Sequence, residues 1–127
     1  MENILELRNV SKIYGTTIKT QVLTDINVSF KKGSFSSIIG QSGSGKSTML
    51  NIMGTLDTPT AGEVLINGVD TAKLSKGKLA EIRNKNIGFV FQFHYLLPEF
   101  TAIENVLMPY RIGNNSVSSE VRQRAEE

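Results

Sequence analysis

The chain has 127 residues, which suits one domain and rules out two full ones, since domains usually run to about 100–150 residues. Apolar residues make up 39% and charged residues 20%, outside the low-hydrophobicity, high-charge range of disordered chains. Fourteen Lys and Arg against twelve Asp and Glu leave only +2, too small a surplus to imply nucleic acid, and the absence of cysteine excludes a disulfide framework, a thiolate zinc site and a cysteine nucleophile.

A cysteine-free chain fits a reducing compartment, so a cytoplasmic location is expected. The start Met1-Glu2-Asn3 has no basic n-region and no apolar run exceeds three residues, whereas a membrane span needs about 20. The chain is expected to be soluble by itself.

In chain order, Asn3 to Val10 alternates as a strand, with Leu5 and Leu7 on one face and Glu6 and Arg8 on the other. Ile26, Val28 and Phe30 alternate with Asn27 and Ser29, and Lys31-Lys32-Gly33 supplies a turn. Phe35 to Ile39 reads as a short strand entering a glycine-rich loop. Ser47 to Met53 suits a helix stopped by Gly54. Glu63 to Ile66 reads as a strand closed by the hairpin signal Asn67-Gly68.

Between Lys73 and Lys85, Leu74, Leu79 and Ile82 stand at roughly helical spacing among many lysines, the pattern of a surface helix with a solvated face. Ile87 to Phe91 reads as a buried strand ending at Gln92. Thr101-Ala102-Ile103-Glu104 is a capping box, and the helix it opens is expected to be limited by Pro109. From Ser118 onward the residues are good helix formers with no stop signal before Glu127, as if the sequence were cut there.

One segment carries chemistry. Gly40-Gln41-Ser42-Gly43-Ser44-Gly45-Lys46-Ser47-Thr48 matches the phosphate-binding P-loop (Walker A) in full, between an expected strand and an expected helix. Glycines let the backbone wrap closely round phosphates, and the helix N-terminus adds about half a positive charge. Lys46 is placed to neutralise the β- and γ-phosphates and Ser47 to hold Mg²⁺ through its hydroxyl, with ATP as the expected ligand. The dinucleotide fingerprint Gly-x-Gly-x-x-Gly fails, because Thr48 stands where its last glycine belongs.

On these residues the chain resembles the ATP-binding cassette (ABC) family of transporter ATPases over its whole length. The resemblance also rests on Val22-Leu23-Thr24-Asp25-Ile26, Thr60-Ala61-Gly62-Glu63-Val64 leading to Asn67-Gly68, and Ile87-Gly88-Phe89-Val90-Phe91-Gln92. Phe93-His94-Tyr95-Leu96-Leu97-Pro98 followed by Thr101-Ala102-Ile103-Glu104-Asn105-Val106 is most similar to the subgroup serving lipoprotein release and macrolide or antimicrobial-peptide export.

The resemblance implies an α/β fold, a P-loop NTPase of the ABC ATPase type. It is incomplete here: an N-terminal antiparallel β portion, part of the parallel core sheet and the start of the helical subdomain, divided as residues 1–92 and 93–127. It implies that Tyr14 stacks on adenine, a contact worth about 1–3 kcal/mol by analogy with base stacking; a packing tyrosine beside a Gly15 turn is the other reading. It implies that Gln92 is the Q-loop glutamine, which touches Mg²⁺ and the attacking water, so that Lys46 and Gln92 are the catalytic candidates. The phosphates would rest on Gly40, Ser42, Gly43, Ser44, Gly45, Lys46, Ser47 and Thr48. A transmembrane permease subunit and a second ATPase subunit are the implied partners, with the chain at the inner face of the cell membrane.

The Leu-Ser-Gly-Gly-Gln signature, the strand ending in Asp before the catalytic Glu, and the switch histidine of a full cassette do not occur in these residues. Leu74-Ser75-Lys76-Gly77-Lys78 precedes Gln92 and has lysines where the signature needs Gly and Gln. His94, the one histidine, is too early for the switch and reads as a surface or packing residue. Two readings stay open: part of a transporter ATPase that couples ATP hydrolysis to export when complete, or a stand-alone, non-hydrolysing nucleotide-binding or interaction module. DNA-repair cassettes fit less well, since their coiled-coil insertion has no counterpart here. Without the remaining strands of the family's sheet, a homo-oligomer that covers the exposed edges is expected.

Overall fold

The computed structural model describes residues 2–127; Met1, where the sequence begins without a basic n-region, lies outside the described residues. The chain forms two compact units, one reaching to Leu79 and one spanning Ala80–Glu127, with the division falling inside a helix.

The first unit is built on two long antiparallel strands, β1 (Asn3–Tyr14) and β2 (Thr20–Lys31), followed by α1 (Lys46–Met53), β3 (Ala61–Ile66) and β4 (Val69–Asp70). The strand order is β2-β1-β3-β4, so β1 is internal and pairs with neighbours on both sides. Both β1 and β2 are longer than their alternation suggests, because each contains a residue in the left-handed region: Asn9 at φ 51 and Asp25 at φ 47. Register shifts accompany them in the β1–β2 ladder, notably between Leu7 and Val10. A bulge resets the side-chain period, so that Leu7 and Val10, which simple alternation would put on opposite faces, both enter the core. Asn and Asp tolerate this conformation, and here they bond to each other: Asn9 Nδ2 donates to Asp25 Oδ1 at 2.8 Å and Asn9 N donates to Asn27 Oδ1 at 2.9 Å.

Leu7, Val10, Leu23, Ile52 and Val64 form the buried core, with Met49 and Met53 packed against it. At 8 residues α1 is too short to persist alone in water, so its helicity depends on this burial. Ile52, 1% exposed, contributes about 1.5–3 kcal/mol through it. Gly54 closes α1 by donating to Leu50 O at 2.9 Å, as the sequence indicates. The Asn67-Gly68 hairpin also forms, joining β3 to β4 through Ile66↔Val69.

The strand expected at Phe35–Ile39 does not form. Strand geometry needs a hydrogen-bonded neighbour, and the sheet of this unit provides none for these residues, which leaves Phe35 100% and Ile39 89% exposed.

α2 (Lys76–Asn86) crosses into the second unit and holds no buried residue, in keeping with a solvated surface helix. Within the second unit, α3 (Ala102–Gly113) and α4 (Ser119–Glu126) follow an irregular stretch. The capping box is complete: the Thr101 hydroxyl accepts from Glu104 N at 3.3 Å and the Glu104 carboxylate accepts from Thr101 N at 2.9 Å. Asn105 pins the preceding turn, accepting from Leu97 N at 2.9 Å and donating to Leu97 O, Phe100 O and Thr101 O.

Two expectations for this unit fail. Pro109 lies inside α3 instead of ending it: the lost N–H costs one helical bond, to Asn105 O, and the helix runs on to Gly113, where Asn84 Nδ2 donates to Pro109 O at 2.6 Å and Asn114 Nδ2 to Tyr110 O at 3.0 Å in the last turn. The strand expected at Ile87–Phe91 is irregular backbone with Val90 fully exposed, again because these residues have no strand partner among the described residues.

Gly62 and Gly68 share a positive φ, 89° and 76°, but differ in surroundings. A Cβ on Gly62 would meet Asn9 O at 2.3 Å, whereas one on Gly68 would meet nothing within 4 Å. Gly68→Ala is therefore expected to cost about 1 kcal/mol of strain, and Gly62→Ala distinctly more because β3 must also move off β1. Thermal midpoints of the two variants, with Gly62→Ala the lower, check this.

Candidate functional site

The P-loop residues belong to the first unit, and their placement follows from one close approach. Gly45, the N-cap of α1, sits at φ 94 with its α-carbon against β2: a Cβ there would meet Leu23 Cδ2 at 2.9 Å and Val22 O at 3.0 Å. Only glycine allows the first turn of α1 to lie this near the strand. Gly40 stands at the other end of the loop, where a Cβ would come within 2.7 Å of Ser44 Oγ. The loop is thus folded tightly on itself, with Ser44 N donating to Gln41 O at 3.2 Å.

Lys46 turns back over this loop. Its ammonium donates to Gly40 O at 2.8 Å, to Gln41 O at 2.5 Å and to Ser44 Oγ at 3.3 Å. The first amides of α1 have no intrahelical acceptors, and no acidic side chain occupies the first turn to compete for them. Gly40, Ser42, Gly43, Ser44 and Ser47 are exposed; Gly45, Lys46 and Thr48 are half-buried.

This donor set fits a polyphosphate: backbone amides, one ammonium, several hydroxyls and no carboxylate between Gly40 and Thr48. It also fits Mg²⁺ in the form that ion prefers, one hydroxyl oxygen from Ser47 shared with phosphate oxygens instead of a protein cage. Among the described residues no group of three or more His, Cys, Asp or Glu could hold a metal by itself.

Tyr14 ends β1 in the same unit, 40% exposed, and it is fastened at its far end. Its hydroxyl donates to Asp57 Oδ2 at 2.6 Å. Lys12, two residues earlier and hence on the same face of the strand, lies 4.8 Å from the Tyr14 ring centroid and donates to Asp57 Oδ1 at 3.0 Å and Thr58 O at 2.7 Å. The hydrogen bond to Asp57 is the main reason the phenol titrates above its ordinary 10.0, with burial second; the nearby Thr48 hydroxyl and the Lys12 charge act the other way. The same bond, chiefly, holds the Asp57 carboxyl below its ordinary 3.8, against a smaller opposing effect of burial. Tyr14 is thereby tied through Asp57 to the loop that follows α1.

Lys12 and Asp57 were not legible as site residues. The Lys12–Tyr14 spacing was the only available signal; Asp57 lies 43 residues from Tyr14, and nothing local marks it.

Gln92 belongs to the second unit, exposed in the irregular stretch before α3. Aromatic rings surround it in sequence and contact one another: Phe89 and Phe91 stack at 5.4 Å, and Tyr95 meets Phe91 edge-on at 5.2 Å. His94 is exposed, as a surface residue.

The ABC transporter profile matches residues 23–127. The chain belongs to the ABC transporter family. It is 46% identical, over its full length, to the lipoprotein-releasing system ATP-binding protein LolD 1 of Rhodopseudomonas palustris, of which it covers 57%. It is 55% identical over 84% of its length to LolD of Shewanella frigidimarina, covering 45% of that protein. Among solved structures it resembles the dimeric ATP-binding cassette MJ0796 in a post-hydrolysis state bound to ADP and Pi, with TM-score 0.88 and 46% identity over 96% of this chain and 54% of that one. A second dimeric structure of MJ0796 gives TM-score 0.87 at 45% identity, covering 94% of this chain and 53% of that one. The fold is that of the ABC ATPase cassette, α/β with the antiparallel sheet as its ordered β portion, and the chain spans about half the length of these relatives. No described helix is long and apolar enough to cross a membrane.

The Tyr14–Asp57 pair makes a signed prediction about pH. Asp57 is lowered, so its contribution to stability is in place above its ordinary value and is lost as pH falls through the folded one; Tyr14 is raised, so its contribution is in place below its ordinary value and is lost as pH rises through the folded one. The stability difference between wild type and Tyr14→Phe is expected to be small, given the exposure of both groups, flat from about pH 5 to about pH 9, and reduced below about pH 4 and above about pH 10. Denaturant midpoints across pH check it.

Proposed function

We propose that this chain binds MgATP as the nucleotide-binding portion of a transporter ATPase. The observation that supports it most is the Lys46 ammonium laid over the loop carbonyls, where the loop enters α1 through a glycine, Gly45, that no other residue can replace without a clash. In this reading the α1 amides and Lys46 hold the β- and γ-phosphates, Ser47 holds Mg²⁺, and Tyr14 offers its ring to adenine. Bound Mg²⁺ supplies charge neutralisation between the phosphates. Thr48 and the loop residues Gly40, Ser42, Gly43, Ser44 and Gly45 complete the cradle. Gln92, by the family resemblance, approaches the ion and the attacking water when the site is complete.

The similarity to lipoprotein-releasing ATP-binding proteins supports a role in export, with hydrolysis coupled through a permease at the inner membrane face and a second ATPase subunit completing the site. The dimeric state of MJ0796 supports pairing of cassettes. Exposed Phe35, Ile39 and Val90 support self-association of the 127-residue chain. The stand-alone binding module retains one argument in its favour: the P-loop is seated on a core, Leu7, Val10, Leu23, Ile52 and Val64, contained within the first unit.

Saturating MgATP should raise the thermal midpoint of the chain, since ligand at about 100 times its Kd adds about 2.7 kcal/mol, and Lys46→Ala should remove that rise. Equal rises in the two proteins would count against a P-loop site. Steady phosphate release is expected to match a blank, because the signature and catalytic glutamate that stabilise phosphoryl transfer are absent from these residues. Release that Lys46→Ala eliminates would show a substitute base.

A further inference from the structure

We propose that Asp57, braced by Lys12, is a positioning residue for nucleotide binding: it fixes the Tyr14 ring as a base platform and ties that platform to the helix that carries the phosphate site. The inference rests on the proposed stacking of adenine on Tyr14 and adds to it the residues that make the stack rigid.

The fastening is one-sided and specific. Tyr14 stands at the end of a strand beside a glycine turn, Gly15 at φ 93, where an exposed ring would otherwise sample several rotamers. Asp57 Oδ2 takes the phenol hydrogen at 2.6 Å, while its other oxygen accepts from Lys12 Nζ at 3.0 Å and Thr58 N at 2.8 Å, so the carboxylate is itself immobile. Lys12 reaches past it to Thr58 O at 2.7 Å. Next along the loop, Thr60 Oγ1 accepts from Ile13 N at 2.9 Å and Thr60 N donates to Ser11 O at 2.9 Å. The stretch 57–60 is thus laced to residues 11–14.

Its other end is anchored to α1, for Leu56 N and Asp57 N both donate to Asn51 O, at 2.8 and 3.2 Å. A continuous path therefore runs from the ring through Asp57 to α1, whose first turn is the phosphate site. A nucleotide binds base and phosphates at once, and its affinity depends on those two ends being held at a fixed separation. The Lys12 ammonium also settles which face of the ring a base can use. It lies over one side of the ring, 4.8 Å from the centroid, so a stacked base would take the opposite side.

Titration calorimetry of the 127-residue chain with ATP and with inorganic tripolyphosphate, both with Mg²⁺, separates the two ends, because tripolyphosphate has no base to place. Asp57→Ala is expected to weaken ATP about threefold to tenfold, the cost of freeing one side chain, and to leave tripolyphosphate unchanged. Tyr14→Phe keeps the ring but not the bond and should show the same selective loss, with no further loss in the double variant. Asp57→Asn, whose amide oxygen can keep the bonds from Lys12 and Thr58 N while its nitrogen donates to the phenol oxygen, should restore most of the preference for ATP. Tyr14→Phe carries the test if Asp57→Ala does not fold. Equal weakening of both ligands by Asp57→Ala, or an unaltered ATP affinity in Tyr14→Phe, would overturn the positioning role. If Tyr14→Ala loses the preference while Tyr14→Phe and Asp57→Ala keep it, stacking stands and positioning alone is wrong. An unaltered preference in Tyr14→Ala would refute stacking itself, and positioning with it.

Discussion

The contact between Gly45 and β2 decides where the rest of the first unit can lie. With a Cβ at this position the helix start would collide with Leu23 and the Val22 carbonyl, so α1 could not settle far enough to bury Ile52 against Leu7, Val10 and Val64. Burial of Ile52 is what makes an 8-residue helix persist, and a persistent helix is what aligns its first amides. The proposed anion site is therefore a product of tertiary packing more than of loop sequence. The two requirements meet in one residue: Gly45 is left-handed to turn the chain and bare to let it pack.

A second consequence concerns the reach of the site. β1 is internal to the sheet, paired with β2 and β3, and its last residues are laced to the stretch 57–60. Tyr14 at the tip of β1 and Lys46 at the start of α1 thus belong to one packed body, although neither lies in a regular loop of the other. The bulges at Asn9 and Asp25 are part of this arrangement, since without the reset at Asn9 the second half of β1 would present its alternate face.

Local chemistry was legible where its cause is local. The helix after Gly45, the Gly54 stop, the Asn67-Gly68 hairpin and the Thr101–Glu104 box all form as their residues indicate, because each depends on neighbours within a few positions. Features that depend on distant partners were not legible. β1 continues past Val10 because Asn9 and Asp25 bond across two strands, and alternation breaks at the point where the bulge begins. Phe35–Ile39 and Ile87–Phe91 have strand-like sequences, but a strand is a relation between two segments, and no described residue supplies the second. Around Pro109 the last turn of α3 is held from another element of the same unit, where Asn84 meets the Pro109 carbonyl, a contact no local pattern marks. Asp57 falls in the same class: its role beside Tyr14 is set by a contact that sequence spacing does not reveal.

Amide hydrogen exchange, resolved by residue, tests most directly whether the phosphate site is formed in the first unit as the packing of Gly45 requires. Addition of MgATP is expected to slow exchange at the amides from Gly43 to Thr48, while the β1–β3 ladder, already hydrogen-bonded, changes little. Unchanged exchange at those loop amides in millimolar MgATP, or slowing confined to the second unit, would contradict the account.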